Sequence, residues 1–436
     1  MAPVRRAHLV VLVSLVLALA GRAGAATHHV PADVPTIGAA LLASGPGDTV
    51  LVAPGTYAER VVLPSDVTLR VAGAPGGATI DAELLGPCVD VLAAGNQTRL
   101  EGFRLVRGRG GVDPGGTVGG ALRSQGGVLS VSDCTFEDGQ AVFGGGTAAI
   151  GTWIVLRRCT WNGGSATFGG GHFQSAGRLT LEDASFEGPQ AAIGGGLFVT
   201  NGAMVTVNEA VIRGARANGD GAGAHFDACV STLSLVRFED GQAGGNGGGI
   251  AIAAGGQVIA SYCTFLANGS GAGGGAFHVS CNAGAPGARL TAAADCALLS
   301  LTHADILKSS GAPPAAGAVD GPGVVRMSSS LVAGNASGLA CLDSRATLEV
   351  TCSDLYANQG ADLSGNCAPI GDATNRSVDP HLCDLAGGNV GLCANSPLVD
   401  PGCGDSEWGS EGVTCGPCGD TPTAATSWGR VKVRYR

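Results

Sequence analysis

The sequence predicts an all-β fold, a right-handed parallel β-helix in which each repeat winds one coil of a solenoid. Two recurring phrases and one pattern carry that expectation. The first phrase is glycine-rich: Gly119-Gly120-Ala121, Gly144-Gly145-Gly146, Gly169-Gly170-Gly171, Gly194-Gly195-Gly196, Gly221-Ala222-Gly223, Gly247-Gly248-Gly249 and Gly273-Gly274-Gly275. The second keeps the same beat: Cys134-Thr135-Phe136, Cys159-Thr160-Trp161, Ala184-Ser185-Phe186, Ala210-Val211-Ile212, Val236-Arg237-Phe238 and Cys263-Thr264-Phe265. A step of 25 to 27 residues marks stacked supersecondary units. A unit so short and so broken by glycine cannot hold a pair of helices, which leaves strands. The pattern is alternation, as in Val67-Thr68-Leu69-Arg70-Val71 and Arg178-Leu179-Thr180-Leu181, which sends one set of side chains into the column and the other into water.

The elements follow in chain order. Residues 1–25 read as a signal peptide: Arg5 and Arg6 precede an apolar run from Leu9 to Ala20, and Ala23-Gly24-Ala25 supplies a small-residue cleavage site. That run is too short for a membrane-spanning helix of roughly 20 residues, and no later stretch qualifies, so the mature chain is expected to be secreted or held at the outer cell surface. Residues 26–365 read as the β-helix with its N-terminal cap. Thr36 can cap a short helix whose apolar residues Ile37, Ala40 and Leu41 share one face, and Gly45-Pro46-Gly47 ends it. Such a helix can cover the open first coil. The segment 281–323, with Pro286, Pro313, Pro314 and Pro322, breaks the beat and reads as a coil interrupted by a long loop. Residues 366–420 read as a cysteine-rich cap closing the far end of the column, and 421–436 as a Thr/Pro linker with a basic tail.

Fifteen cysteines suit an oxidising compartment. Cys341, Cys352, Cys367, Cys383, Cys393, Cys403, Cys415 and Cys418 form an even, dense group and are the disulfide candidates. For Cys415-Gly416-Pro417-Cys418 the expected role is structural, within the pair or to a neighbour such as Cys403, because Gly419-Asp420-Thr421-Pro422 cannot start the helix that a redox dithiol needs. Cys134 and Cys159 read instead as inward-stacked small side chains. The formal charge is −10 and no basic stripe is present, which argues against a nucleic-acid partner.

The entry block from Val34 to Tyr57, the turn Gly77-Ala78-Thr79-Ile80-Asp81 and the two repeating phrases resemble the bacterial secreted right-handed parallel β-helix proteins of the pectin-lyase-like superfamily. The stretches Asp379-Pro380-His381-Leu382-Cys383 and Ser396-Pro397-Leu398-Val399-Asp400 resemble the closing segment of such proteins. That superfamily holds lyases, hydrolases, adhesins and members without known activity, so the resemblance implies fold and decides no function. Its polygalacturonase-like hydrolases carry adjacent aspartates, Gly-His-Gly and Arg-Ile-Lys, none of which stands in this chain. Its pectate lyases gather acidic side chains on calcium beside an arginine base, so Ca²⁺ is the cofactor expected if the chain is a lyase, and none otherwise.

One cross-coil row is the candidate binding strip: Glu137, Asn162, Glu187, Arg213 and Glu239, each following the inward aromatic or aliphatic residue of its coil and therefore pointing outward. The plain alternative is a solvated salt-bridge ladder. His172, His225 and His278, counted from their glycine phrases, fall in three columns, so no metal site is expected. Asn96, Asn268, Asn335 and Asn375 head Asn-x-Ser/Thr sequons. The function expected is an exported, non-catalytic solenoid presenting a repetitive face to a polysaccharide or cell-surface glycan. The alternative is a polysaccharide lyase or glycoside hydrolase with a site built across coils, near the 281–323 loop.

Overall fold

The computed structural model describes residues 25–281, 296–311, 315–367, 370–371, 373–399, 403 and 408–418. The segment read as a signal peptide, but for Ala25, the segment read as a linker and basic tail, and part of the proline-bearing loop lie outside the described residues. The chain is a parallel β-solenoid, its coils joined into one 33-stranded sheet.

A regular coil carries three strands of the main sheet with residues of positive φ at the turns between them, and five coils add a short strand (Ser165–Phe168, Gln190–Ile193, Arg216–Ala217, Gln242–Ala243, Gly269–Ser270) to a second parallel sheet. In one coil, Trp153–Arg157 lies on the first face, Thr160–Asn162 on the second and His172–Ser175 on the third. Arg158 (φ 50°), Gly169 (φ 69°) and Ala176 (φ 55°) stand at corners between them. Corresponding residues stack directly: Ile154 pairs with Leu179, Trp161 with Phe186 and Phe173 with Phe198 in the next coil. Ile154, Leu156, Cys159 and Trp161 of this coil are all buried in the central column.

The two sequence phrases are two halves of one packing device. A Cβ on Gly146 would come within 2.5 Å of the Trp161 ring and 2.8 Å of the Gly171 carbonyl, both in the following coil. The missing side chain therefore makes room for the aromatic of the Cys-Thr-Trp phrase. Trp161 in turn stacks on Phe186 at 4.2 Å between ring centroids, nearly coplanar at 7°. Cys134 and Cys159 are inward and unbridged, as the sequence reading holds.

At the entry, Thr27–Val30 pairs in parallel with Thr49–Val52, and helix α1 (Ile37–Ala43) bridges them. Thr36 Oγ1 accepts from Ala39 N–H at 3.2 Å, and Ile37, Ala40 and Leu41 join the main core. Strands Leu298–Thr302, Asp305–Leu307 and Gly317–Asp320 pair in register inside the segment read as interrupted, so the regular coil resumes well before Gly323.

The C-terminal cysteine region divides in two. Ile370–Gly371 and Arg376 stack on the last coil, beside Glu349–Val350 and Asp354. Leu382–Asp384, Asn389–Cys393 and Val413–Cys415 form a small three-stranded lobe that packs along the flank of the solenoid, on the second face. Val390 of the lobe sits with Leu307 of one coil and Leu331 and Ala333 of the next. Ser410 N–H donates to Asp305 Oδ2 at 2.9 Å, and Arg237 Nη1 meets Glu411 Oε1 at 2.5 Å. Apolar outward residues on those coils require a cover, and the lobe supplies it.

Disulfides join Cys341 to Cys367, Cys383 to Cys415 and Cys393 to Cys418. The Cys-Gly-Pro-Cys pair is thus bridged outward to two lobe strands, not within itself and not to Cys403. Cys352 and Cys403 are unbridged, with their thiols side by side. Among the described residues, Cys383, Cys393 and Cys415 are close enough to share a metal, and all three are held in disulfides.

Candidate functional site: a charged groove beside the lobe

On the second face, the outward residue of each strand's last position runs Glu137, Asn162, Glu187, Arg213, Glu239, Leu266 through consecutive pairings, the order the sequence predicts. Glu137 is bonded by Arg104 of the preceding coil and accepts from Asn162 Nδ2 at 3.4 Å. Arg213 stands between two carboxylates, 2.8 Å from Glu239 and 3.6 Å from Glu187.

Glu239 departs from the outward reading. It is only 7% exposed, because the lobe lies over its coil and places Glu411 beside its partner Arg237. Burial alone would raise the pKa of Glu239. The Arg237 and Arg213 guanidiniums outweigh that, and the carboxyl is held below its ordinary value. Glu239 belongs to the lobe's docking interface, and the exposed strip is Glu137, Asn162, Glu187 and Arg213.

A cavity of about 410 Å³ opens on this strip, lined by Arg158, Thr160, Asp183, Ser185, Glu187, Glu209, Val211 and Arg213. Its second wall is Arg158, Asp183 and Glu209, which with Asp133 before them form a column absent from the sequence reading that turns the corner between the first and second faces with φ of 50–57°. A left-handed residue at this corner turns the chain onto the second face, whose strand ends at the row Glu137 to Arg213. The column is legible afterwards, since each member directly precedes the inward Cys or Ala of its coil.

The cations of the groove are engaged. Arg158 makes two bonds of 2.7 Å to Asp133, and Arg213 takes Glu239 through Nε and Nη2 at 2.9 and 2.8 Å. Ser185 Oγ donates to Glu187 at 3.2 Å. The groove therefore offers carboxylate acceptors, hydroxyls and guanidiniums whose charge is already balanced.

Carboxyls raised by burial lie outside this groove. Asp305, pushed up to about 7, and Asp354, to about 6, sit on the second face farther along, and Glu411 is on the lobe. Asp227, also raised, is on the third face.

The histidine reading is corrected in one respect. His172 points inward, bonded to Thr147 at 2.7 Å and Gln174 at 3.3 Å, and burial lowers its pKa to about 4. His225 and His278 share one column on the third face, two coils apart with Ala251 between them. The frame slips because the left-handed glycine of that coil is Gly274 (φ 63°), not Gly273. Two sequons are also closed: Asn268 and Asn335 are buried, with both amide atoms bonded to coil backbone.

Among the described residues no helix is long and apolar enough to cross a membrane. No protein-family model and no curated protein matches the chain. Among solved structures it is similar to the Azotobacter vinelandii mannuronan C-5 epimerase AlgE6 A-module, at 13% identity and a TM-score of 0.32, covering 79% of this chain and 93% of that one. A superposition that loose carries no argument about activity, and the fold stands on this chain's own strand register.

Proposed function

We propose that the chain is an exported, non-catalytic solenoid that binds a polysaccharide or surface glycan in the groove between the corner column and the Glu137–Arg213 row. The observation that carries this reading is the groove itself: an open cavity of about 410 Å³ on a rigid stacked sheet, walled by carboxylates and hydroxyls. Sugar hydroxyls pair well with such fixed acceptors, and a site built on strands is held more exactly than one on loops. With Arg158 and Arg213 already paired, a uronate would have to displace a carboxylate from either cation, so neutral or amino-bearing glycans fit better than acidic ones.

The non-catalytic half of the reading rests on how the groove's charges are engaged: Glu187 lies 3.6 Å from Arg213 and accepts from Ser185, and Arg158 is held by Asp133. Glycoside cleavage needs an acid and a second carboxylate free to flank one bond. Export is supported by the leader-like residues Arg5 to Ala25.

Purified full-length protein should bind neutral or amino glycans such as mannan or chitosan more tightly than alginate or polygalacturonate, with no unsaturated product or new reducing end, with or without calcium. Glu187→Gln with Glu137→Gln should abolish binding and leave the circular dichroism spectrum unchanged. Turnover of any of these polymers would overturn the non-catalytic reading in favour of a lyase or hydrolase, and unchanged affinity in the double variant would leave the row a salt-bridge ladder.

A further inference from the structure

We propose that the groove receives the end of a glycan chain, not its middle, with the C-terminal lobe acting as the stop. This rests on the glycan reading of the groove and adds which part of the polymer it accepts.

The two outward columns of the second face change character at one coil. Thr135, Thr160, Ser185 and Val211 are partly exposed, whereas their successors Arg237, Thr264 and Asp305 are buried. The neighbouring column behaves alike, with Arg213 exposed and Glu239, next in register, buried. What buries them is the lobe. Arg237 Nη2 donates to Gly388 O at 2.8 Å, and Ser410 Oγ lies 2.8 Å from Thr264 Oγ1.

The lobe therefore stands on the coil immediately after the last residues of the cavity, Val211 and Arg213. Four open coils at about 4.8 Å spacing make a track of about 14 Å along the solenoid axis, while the second-face strand, three residues long, spans about 10 Å across it. A linear polymer lies along the longer direction. Travelling that way it meets the lobe at Arg237 and Glu411, which are closed on each other at 2.5 Å and buried. In the opposite direction Thr135 and Glu137 are partly exposed and Arg104 is exposed, so the track is open there. One end blocked and one end open is the geometry of a site that reads a terminus.

The test uses the full-length protein with manno-, cello- and chito-hexaose, each free, masked by a bulky group at the non-reducing end, or coupled to one at the reducing end. For whichever sugar binds, one masked form should lose about tenfold or more in affinity, about 1.4 kcal/mol or more, while the other retains it. The full-length Glu411→Lys variant, which sets a second cation against Arg237 and frees the lobe, should restore binding of the masked form. Equal affinity of both masked forms for the wild-type protein overturns the end-stop and leaves the glycan reading standing. If no free hexaose and no parent polymer binds, the glycan reading itself falls, and the end-stop with it.

Discussion

At the scale of single residues, the repeat is a fit between a missing side chain and a large one. A Cβ on Gly171 would lie 2.6 Å from Phe186 Cδ1 and 2.7 Å from the Gly196 carbonyl. Neither can retreat, since the ring stacks on Trp161 and the carbonyl is in the inter-coil ladder. Gly171→Ala should therefore destabilise the protein by about 1–3 kcal/mol, the usual cost of overpacking, read as a lower denaturant midpoint. An unchanged midpoint would mean that the coil yields. The column thiols give a second prediction. Cys88, Cys159, Cys229 and Cys263 are buried and pushed up to about 12, chiefly by burial. Native protein at pH 8 should leave them unlabelled by a thiol reagent until it unfolds, and labelling of any one in the folded state would place it outside the column. Gly171, Cys159 and Cys263 were legible in sequence because spacing puts them in register, whereas Cys88 and Cys229 stand outside both phrases. The histidine columns were not legible, because in Gly273-Gly274-Gly275 the letters cannot tell which glycine carries the left-handed turn.

At the scale of elements, the lobe and the second face hold each other through buried polar groups. Asp305 is 1% exposed, accepts from Ser410 N–H and Oγ of the lobe, and feels Glu411 across the interface and Arg237 two coils back in its own column. Burial, outweighing the Ser410 bonds, raises its pKa from 3.8 to about 7. A carboxyl raised on docking favours the docked state fully while it is protonated in both states. That contribution is lost as pH climbs from about 3.8 to about 7 and stays lost above. Glu411, raised for the same reason, acts in the same direction, whereas Glu239, lowered by Arg237 and Arg213, favours docking once ionised. The lobe should accordingly be tightest near pH 5 and looser at pH 8, seen as faster intrinsic-rate-corrected amide exchange in 389–393 at the higher pH. Asp305→Asn should flatten the dependence, and a lobe equally protected at both pH values in the wild type would remove Asp305 from its control. None of this was visible in sequence. The periodic pattern says which residues face outward, but an outward Glu239 becomes buried only through a segment more than a hundred residues away, a contact with no period to betray it.

At the scale of the whole molecule, a self-supporting column carries an appendage that needs staples. The solenoid's stability comes from apolar stacking repeated coil by coil, each coil touching its neighbours. The lobe is near the size, roughly 40 residues, below which a unit needs disulfides or a metal to hold its fold, and Cys383–Cys415 and Cys393–Cys418 tie its strands across separations of 32 and 25 residues. Each such bridge contributes about 2–4 kcal/mol, largely by restricting the unfolded chain. The sequence showed that the cysteines were structural and clustered. It could not show that they serve a flank, because Leu307, Leu331 and Ala333 read as ordinary strand residues until the lobe's Val390 is seen against them. Reduction should therefore separate the two parts. With the disulfides opened, the lobe should lose amide protection and release the flank, exposing Leu307, Leu331 and Ala333 to a hydrophobic dye and raising self-association in light scattering. The strand signal in far-ultraviolet circular dichroism should barely change, since among the described residues the column holds one bridge, Cys341–Cys367 near its last coil, while Cys88, Cys134, Cys159, Cys229 and Cys263 are already thiols. Simultaneous loss of strand signal and lobe protection on reduction would show instead that column and lobe fold as one cooperative unit, with the flank contacts as essential as the stacking.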